Sequence, residues 1–453
     1  MSQIDLSNRD RFSSKLGAIA AAAGSAIGLG NIWRFPYITG QNGGAAFILV
    51  YLIFVIFIAI PVLLSEFTIG RKAQRNAFGS FKLLKPNQPW YLIGLMGIIG
   101  AYMILSFYST VAGWTLEYLY NSITNSFSGK SPEMLSSEFD TFAANGYRPV
   151  FWQIIFMILT ASIVIMGIKN GIEKYSKILM PILLLLIIAL AIRSVTLPGS
   201  EEGLKFLFTP DFSKITSNVI IQALGQGFFS LSIGMGVLIT YGSYIQKSDN
   251  LGNNAVAVAF LNSFFSILAG IAIFPAVFAF NIEPASGPSL VFITLPNIFN
   301  QMPFGYFFSL LFFILLTIAA LTSSISVLEV IVAYATEQLN WSRKKATIIG
   351  ASSITLTGIV CTMSQGPWSK LQLFGKNIFD ILDYTSANIL LPLGGFFIVI
   401  FLGWVLGPKI AREELTNNGT TRNIFFGLFI FIIRYIAPLA ITAVFLNGLG
   451  LFN

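Results

Sequence analysis

Residues 24–36 read Gly24-Ser25-Ala26-Ile27-Gly28-Leu29-Gly30-Asn31-Ile32-Trp33-Arg34-Phe35-Pro36, inside an apolar run that starts near Leu16. A membrane helix would fill such a run with Leu, Ile and Val. Three glycines, an Asn, an Arg and a Pro stand there instead. Glycine weakens a helix and admits unusual dihedrals, and proline removes a donor. Backbone opened at membrane depth survives only where protein or a water-filled cavity satisfies it. The first membrane helix is therefore expected to break midway, with the break facing a ligand. Two plainer readings compete. Gly24 and Gly28 form GxxxG, which often means close helix packing. Gly28-x-Gly30 resembles part of a dinucleotide loop, but no strand precedes it.

The chain is 55% hydrophobic and 10% charged, with mean hydropathy +0.77 over 453 residues, which excludes a soluble globular protein. One Cys, Cys361, rules out an intrachain disulfide or thiolate metal site, and the absence of His rules out imidazole ligands and relays. Apolar runs of roughly 20 residues or more centre at 16–38, 44–70, 90–122, 150–168, 176–196, 216–245, 252–281, 304–339, 346–363, 376–406 and 423–447. These predict eleven spans in a single domain, 1–453. Net charge is +8. Lys and Arg concentrate in alternate connections, among them Arg71, Lys72, Arg75, Lys82, Lys85 and Arg343, Lys344, Lys345. This bias predicts a cell (inner) membrane protein with a cytoplasmic N-terminus and an external C-terminus. The connections near 123–148 and 197–214 are polar and read as extracellular. The stretch from Asn281 to Phe304 holds four prolines and reads as a lid that folds back.

The sixth run carries a second interruption, Gly225-Gln226-Gly227-Phe228-Phe229-Ser230-Leu231-Ser232-Ile233-Gly234-Met235-Gly236. Breaks in spans one and six are what two five-helix repeats would give if each began with a broken helix, here 15–196 and 215–406, with 421–448 as an extra span. Paired interruptions of this kind mark transporter binding sites. Half-helix N-termini suit an anion, and freed carbonyls suit a cation.

With Asn42-Gly43-Gly44-Ala45-Ala46-Phe47, Pro61 and Glu66-x3-Gly70-Arg71 added, the chain resembles the neurotransmitter:sodium symporter family from Lys15 to about Trp404. The pairing rule is drawn in part from that family. The resemblance implies an all-α membrane fold of two inverted repeats and sodium-coupled carriage of amino acids or amines, without enzymatic chemistry. The eleven-span count is similar to that of the shorter bacterial members.

The resemblance also implies sites. Sodium wants oxygen ligands. A first sodium site matches Ala26, Asn31, Ser230, Asn262 and the cargo's own carboxylate. A second matches Gly24, Ile27, Ala319, Thr322 and Ser323. Thr322, Ser323 and Ser324 in an apolar helix support it separately, although back-bonding to the preceding turn would also satisfy them. The cargo site matches Ala26, Gly30, Ile104, Tyr108, Phe229, Ser232, Met235, Ser323 and Val327. Members that carry monoamines have Asp where this chain has Gly28, so an α-amino acid is expected. The apolar lining favours a bulky hydrophobic or aromatic side chain. Chloride would match Tyr51, Gln226, Ser230, Asn262 and Ser266. No acid stands between Leu251 and Asn281, so chloride is the expected counter-charge for two sodium ions and a zwitterion, with Glu66 as the competing source.

Intramembrane charges are functional candidates by default. Arg34 and Asp383 match an outer gate pair, with Asp380 on the same helical face. Arg9 and Glu337 match an inner pair. Phe12 stands where members often have Trp, which weakens the expectation of an N-terminal plug. Glu66 is expected to hold broken-helix donors and Glu329 to be structural, while Arg434 has no evident partner. A proton-coupled carrier of the same fold is the alternative reading; a channel or a membrane enzyme fits less well.

Overall fold

The computed structural model describes residues 10–281, 290–420 and 424–451. Among these every extended element is helical, apart from one antiparallel bridge between Leu373 and Lys376. Nine helices are long and apolar enough to cross a bilayer, and one bent pair makes ten. The pair is α1 (Lys15–Ala26) and α2 (Gly30–Gln41), which meet at 53°. Then come α3 (Ala45–Ala73), α4 (Tyr91–Ile123), α5 (Tyr147–Val164) and α6 (Ile168–Val195). The expected sixth span divides into α7 (Ser217–Ser230) and α8 (Val237–Gly242), each too short to cross alone. α9 (Leu251–Ala279), α10 (Gly305–Gln338), α11 (Arg343–Ser364), α12 (Ile378–Leu415) and α13 (Phe426–Gly448) complete the chain. All eleven apolar runs are thus found as helix, two of them in pieces.

α4 and α10, with 33 and 34 residues, pack along one another. At 1.5 Å per residue each is roughly 50 Å long, well beyond a hydrocarbon core of about 30 Å. α1 is enclosed by α6, α9 and α10, and α8 lies against α3. The α3–α8 contact depends on glycine. A Cβ on Gly70 would stand 2.0 Å from the Ile239 carbonyl oxygen.

The connections read as polar loops hold helices as well: Ala77–Leu84, Pro132–Asn145, Ser200–Phe208 and Leu295–Gln301. Pro132–Asn145 starts as capping rules require, with Ser131 accepting from the Met134 amide and proline in the first turn.

Prolines inside the spans do not break them. Before Pro36, Pro61, Pro392, Pro408 and Pro438 the helix widens by one residue. The Phe35 amide donates to the Gly30 carbonyl, Ile60 to Val55, Leu391 to Ser386, Gly407 to Leu402 and Ala437 to Ile432. A proline ring clashes with the carbonyl four residues back. The wider turn moves that carbonyl aside and gives it another donor.

Candidate functional site

Both breaks lie in the middle of the bundle and face each other. In the first, the Ile27 amide still donates to the Ala23 carbonyl at 2.7 Å, and regular helix stops there. Asn31 bridges the gap: its Oδ1 accepts from the Gly28 amide at 3.2 Å. Gly28 and Gly30 do not use left-handed backbone. They are there for proximity. A Cβ on Gly28 would lie 3.0 Å from Ser323 Cβ and 3.3 Å from the Tyr108 hydroxyl, and one on Gly30 would lie 3.0 Å from the Phe229 ring. Gly24 would meet Met180 and Thr322 only at ordinary contact distance, so here the packing reading of GxxxG holds in part. The second break does use left-handed backbone, with φ of +55° at Ser232, +85° at Gly234 and +73° at Gly236. Glu66 holds it, as its Oε1 accepts from the Gly234 amide at 2.8 Å.

The expected first sodium ligands converge. Asn31 Nδ2 donates to Asn262 Oδ1 at 2.7 Å and to Ser266 Oγ at 2.8 Å. Asn262 Oδ1 lies 3.2 Å from the Ala26 carbonyl oxygen and 3.1 Å from that of Ser230. Three oxygens this close need a positive partner between them, either a cation or an N–H. Turning the Asn262 amide over would supply the N–H. The second set also gathers. Thr322 Oγ1 donates to the Ala319 carbonyl at 3.1 Å and reaches that of Ile27 at 3.5 Å. Gly24 packs beside it, whereas Ser323 Oγ turns to the Ser25 carbonyl at 3.2 Å. Ser25 carried no expectation and is a hub. Its carbonyl also accepts from Ser232 Oγ at 3.3 Å, and its own hydroxyl accepts from Ser326 at 2.8 Å.

Tyr108 is half-buried, and its hydroxyl lies 3.5 Å from both the Leu29 amide and the Ala320 carbonyl. Ile104, Met235 and Val327 are buried, and Phe229 is half-buried. Four of the expected chloride residues, Tyr51, Ser230, Asn262 and Ser266, form one hydrogen-bonded cluster. Asn262 Nδ2 lies 3.1 Å from both Tyr51 Oη and Ser230 Oγ, and these two hydroxyls are 3.4 Å apart. Gln226 Nε2 donates to the Gly30 carbonyl at 3.1 Å. The nearby Ser263, one turn from Ser266, is buried, and its hydroxyl finds no hydrogen-bond partner among the described residues.

The gates differ from expectation. Among the described residues Arg34 and Asp383 form no ion pair. The Arg34 guanidinium instead sits 4.2 Å above the Phe229 ring, with Asp383 near enough for its charge to be felt. Cation–π attraction to a ring at the cargo site competes with the carboxylate. Arg9 lies outside the described residues, and Glu337 accepts from the Asn76 amide and side chain at 2.8 Å. Phe12 is packed into the bundle although it stands where Trp is usual. Phe12 is 2% exposed, stands edge-on to Tyr241 and Tyr244, and its amide donates to the Tyr244 carbonyl at 3.1 Å. Behind it, the Tyr244 hydroxyl donates to Glu329, which also pairs with Arg343. Arg434 finds its partners too, the Gly403 carbonyl at 2.8 Å and the Trp404 ring. Of the expected lid, 282–289 lies outside the described residues. Beyond it, buried Phe292 packs on Trp33, Trp114 and Tyr118.

The chain is similar to known proteins. The model of the sodium:neurotransmitter symporter family matches residues 9–135 and 135–452. The uncharacterized sodium-dependent transporter YhdH of Bacillus subtilis (strain 168) is 41% identical over 443 residues, covering 98% of each chain. An uncharacterized sodium-dependent transporter of Haemophilus influenzae is 40% identical over 97% of this chain and 98% of its own length. The crystal structure of MhsT in complex with L-phenylalanine superposes with a TM-score of 0.90 at 50% identity, covering 97% of this chain and 100% of that one.

Proposed function

The chain belongs to the sodium:neurotransmitter symporter family, and on that premise we propose that it carries bulky hydrophobic or aromatic α-amino acids together with sodium by alternating access. The observation that carries this reading is the floor of the cargo site. Gly28 and Gly30 leave backbone open beneath the Tyr108 hydroxyl and the Phe229 ring. A carboxylate fits against the Gly30 backbone and that hydroxyl, the Gly28 amide being held by Asn31 Oδ1, and Ile104, Met235 and Val327 offer an apolar side chain nothing polar to meet. The phenylalanine held by MhsT supports the same reading.

Two sodium ions are proposed. One binds Ala26, Asn31, Ser230, Asn262 and the cargo carboxylate, and the other binds Gly24, Ile27, Ala319, Thr322 and Ser323. The shared carboxylate couples cargo to ion, because each completes the other's site. Arg34, Phe229 and Asp383 close one side, and Phe12 closes the other, which we assign to the cytoplasm. The chain consists of two repeats, 15–196 and 215–406, and the bundle rocks about the site between them. Proteoliposomes test this directly. A sodium gradient should drive uptake of labelled phenylalanine or tryptophan, and an equal potassium gradient should not. Uptake driven by a pH gradient without sodium would favour the proton-coupled alternative.

Chloride is proposed as the third ion, bound by the hydroxyls of Tyr51, Ser230 and Ser266 with the amides of Gln226 and Asn262. These supply donors without an acid; Glu66, the competing source of charge, uses Oε1 to accept from the Gly234 amide, and its Oε2 finds no partner among the described residues. Replacing chloride with gluconate should lower uptake several-fold. Ser266→Glu should restore it by building the negative charge into the site. Uptake unchanged by gluconate would overturn this part.

A further inference from the structure

A groove of about 560 Å³ runs along the outside of the bundle between α5 and α11. Ile158, Ala161 and Ile165 form one wall, and Thr347, Ala351 and Leu356 form the other. Ile158 and Leu356 are over 60% exposed, so the groove faces the membrane rather than the transport path. It has a polar end. Thr347 is fully buried, lines the groove, and its hydroxyl finds no hydrogen-bond partner among the described residues. A threonine in a helix ordinarily bonds back to the preceding turn. This one does not, and an unsatisfied buried hydroxyl is costly.

One turn before Thr347 come Lys344 and Lys345, both exposed. The Lys345 ammonium stands 4.9 Å over the Trp341 ring, and Trp is a residue of the membrane–water interface. Arg343 is already occupied by Glu329 and the Val164 carbonyl. From Thr347 to Ile359 the groove wall spans twelve residues, roughly 18 Å, against about 15 Å for one hydrocarbon leaflet.

We propose that this groove binds one anionic phospholipid. Its phosphate lies against Lys344 and Lys345, an ester carbonyl accepts from the Thr347 hydroxyl, and an acyl chain fills the apolar trough. Depth orders the three contacts as the lipid itself is ordered: charge at the surface, ester one turn down, hydrocarbon below. The assignment is independent of cargo and ions; the proposed orientation decides only which leaflet supplies the lipid.

The test is native mass spectrometry of the delipidated full chain titrated with phosphatidylglycerol or phosphatidylcholine of equal acyl length. The wild type should hold phosphatidylglycerol roughly ten- to thirtyfold more tightly. Lys344→Glu/Lys345→Glu should erase that preference and leave phosphatidylcholine unchanged. Ser352→Trp, at an exposed position lining the groove, should weaken both lipids. Both variants should melt like wild type in lipid-free detergent, which separates a blocked groove from a misfolded chain. Equal retention of the two lipids by wild type, or a lysine double variant that keeps the preference, overturns the proposal. So does a lipid-free dimer that Ser352→Trp dissociates, since the groove would then receive a second copy.

Discussion

Gly28→Asp should abolish amino-acid uptake while the chain still folds. The new side chain would point at Ser323 and Tyr108, whose atoms lie 3.0–3.3 Å from where its Cβ must sit. Ser323 Oγ and Tyr108 Oη can turn aside, but Ser323 Cβ at 3.0 Å cannot, so absorbing the volume requires the helix carrying Ser323 to give by a few tenths of an ångström. The charge cannot. It would stand where the cargo's carboxylate is proposed to lie. Two like charges about 4 Å apart repel by about 4 kcal/mol at an effective dielectric constant of about 20, roughly a thousandfold in affinity. Gly28→Asn is the control, because it has nearly the same size without the charge. It should lose far less, and an aromatic amine without a carboxylate should bind Gly28→Asp better than it binds wild type. Equal losses in the Asp and Asn variants would show that crowding alone is at work and that no carboxylate lies beside position 28.

The interruption at 24–36 was legible because glycine, asparagine and proline are conspicuous in an apolar run. Its internal geometry was not. Sequence suggested that the glycines serve unusual dihedrals, which is true of Gly234 and Gly236 but not of Gly28 and Gly30. In the first break glycine is needed for what stands opposite, Tyr108, Ser323 and Phe229. Partners 80 to 295 residues away leave no local trace. Ser25 was hidden for the same reason. Its role is to receive hydroxyls from Ser232, Ser323 and Ser326, and each of those had a plausible local partner of its own.

Other features carried a signal that was not used. A proline in each widened span marked where the helix would expand, and Ser131-Pro132-Glu133 announced a helix in what read as loop. A direct Arg34–Asp383 ion pair is not formed here for a different reason. Composition identifies two charges at the right depth, but a half-buried guanidinium chooses between a carboxylate and a ring on small energy differences. Asp383 and Phe229 therefore offer Arg34 two seats, and in this structure it takes the one on the cargo site.

Arg343→Ala should destabilise the side of the bundle that Phe12 occupies by about 3–5 kcal/mol. Glu329 is 0% exposed and meets Arg343 through two contacts, at 2.5 and 3.2 Å. Removing the arginine leaves a buried carboxylate with only the Tyr244 hydroxyl at 2.8 Å. That tyrosine is also the residue on which Phe12 closes. The unpaired charge is relieved most easily by admitting water, and the way in lies past Phe12. Opening should therefore accompany the loss of stability. Ile245→Cys, at a position 2% exposed, should become reactive to a water-soluble thiol reagent in a Cys361→Ser background. Tyr244→Phe should be much milder, about 1 kcal/mol, because Glu329 keeps its arginine. Glu329→Gln/Arg343→Gln should regain much of the stability lost by Arg343→Ala, since no charge is then stranded. If the double variant melts as early as the single one, the cost comes from lost packing at the head of α11 and not from an isolated charge. The coupling between Glu329 and the plug would then have no electrostatic basis.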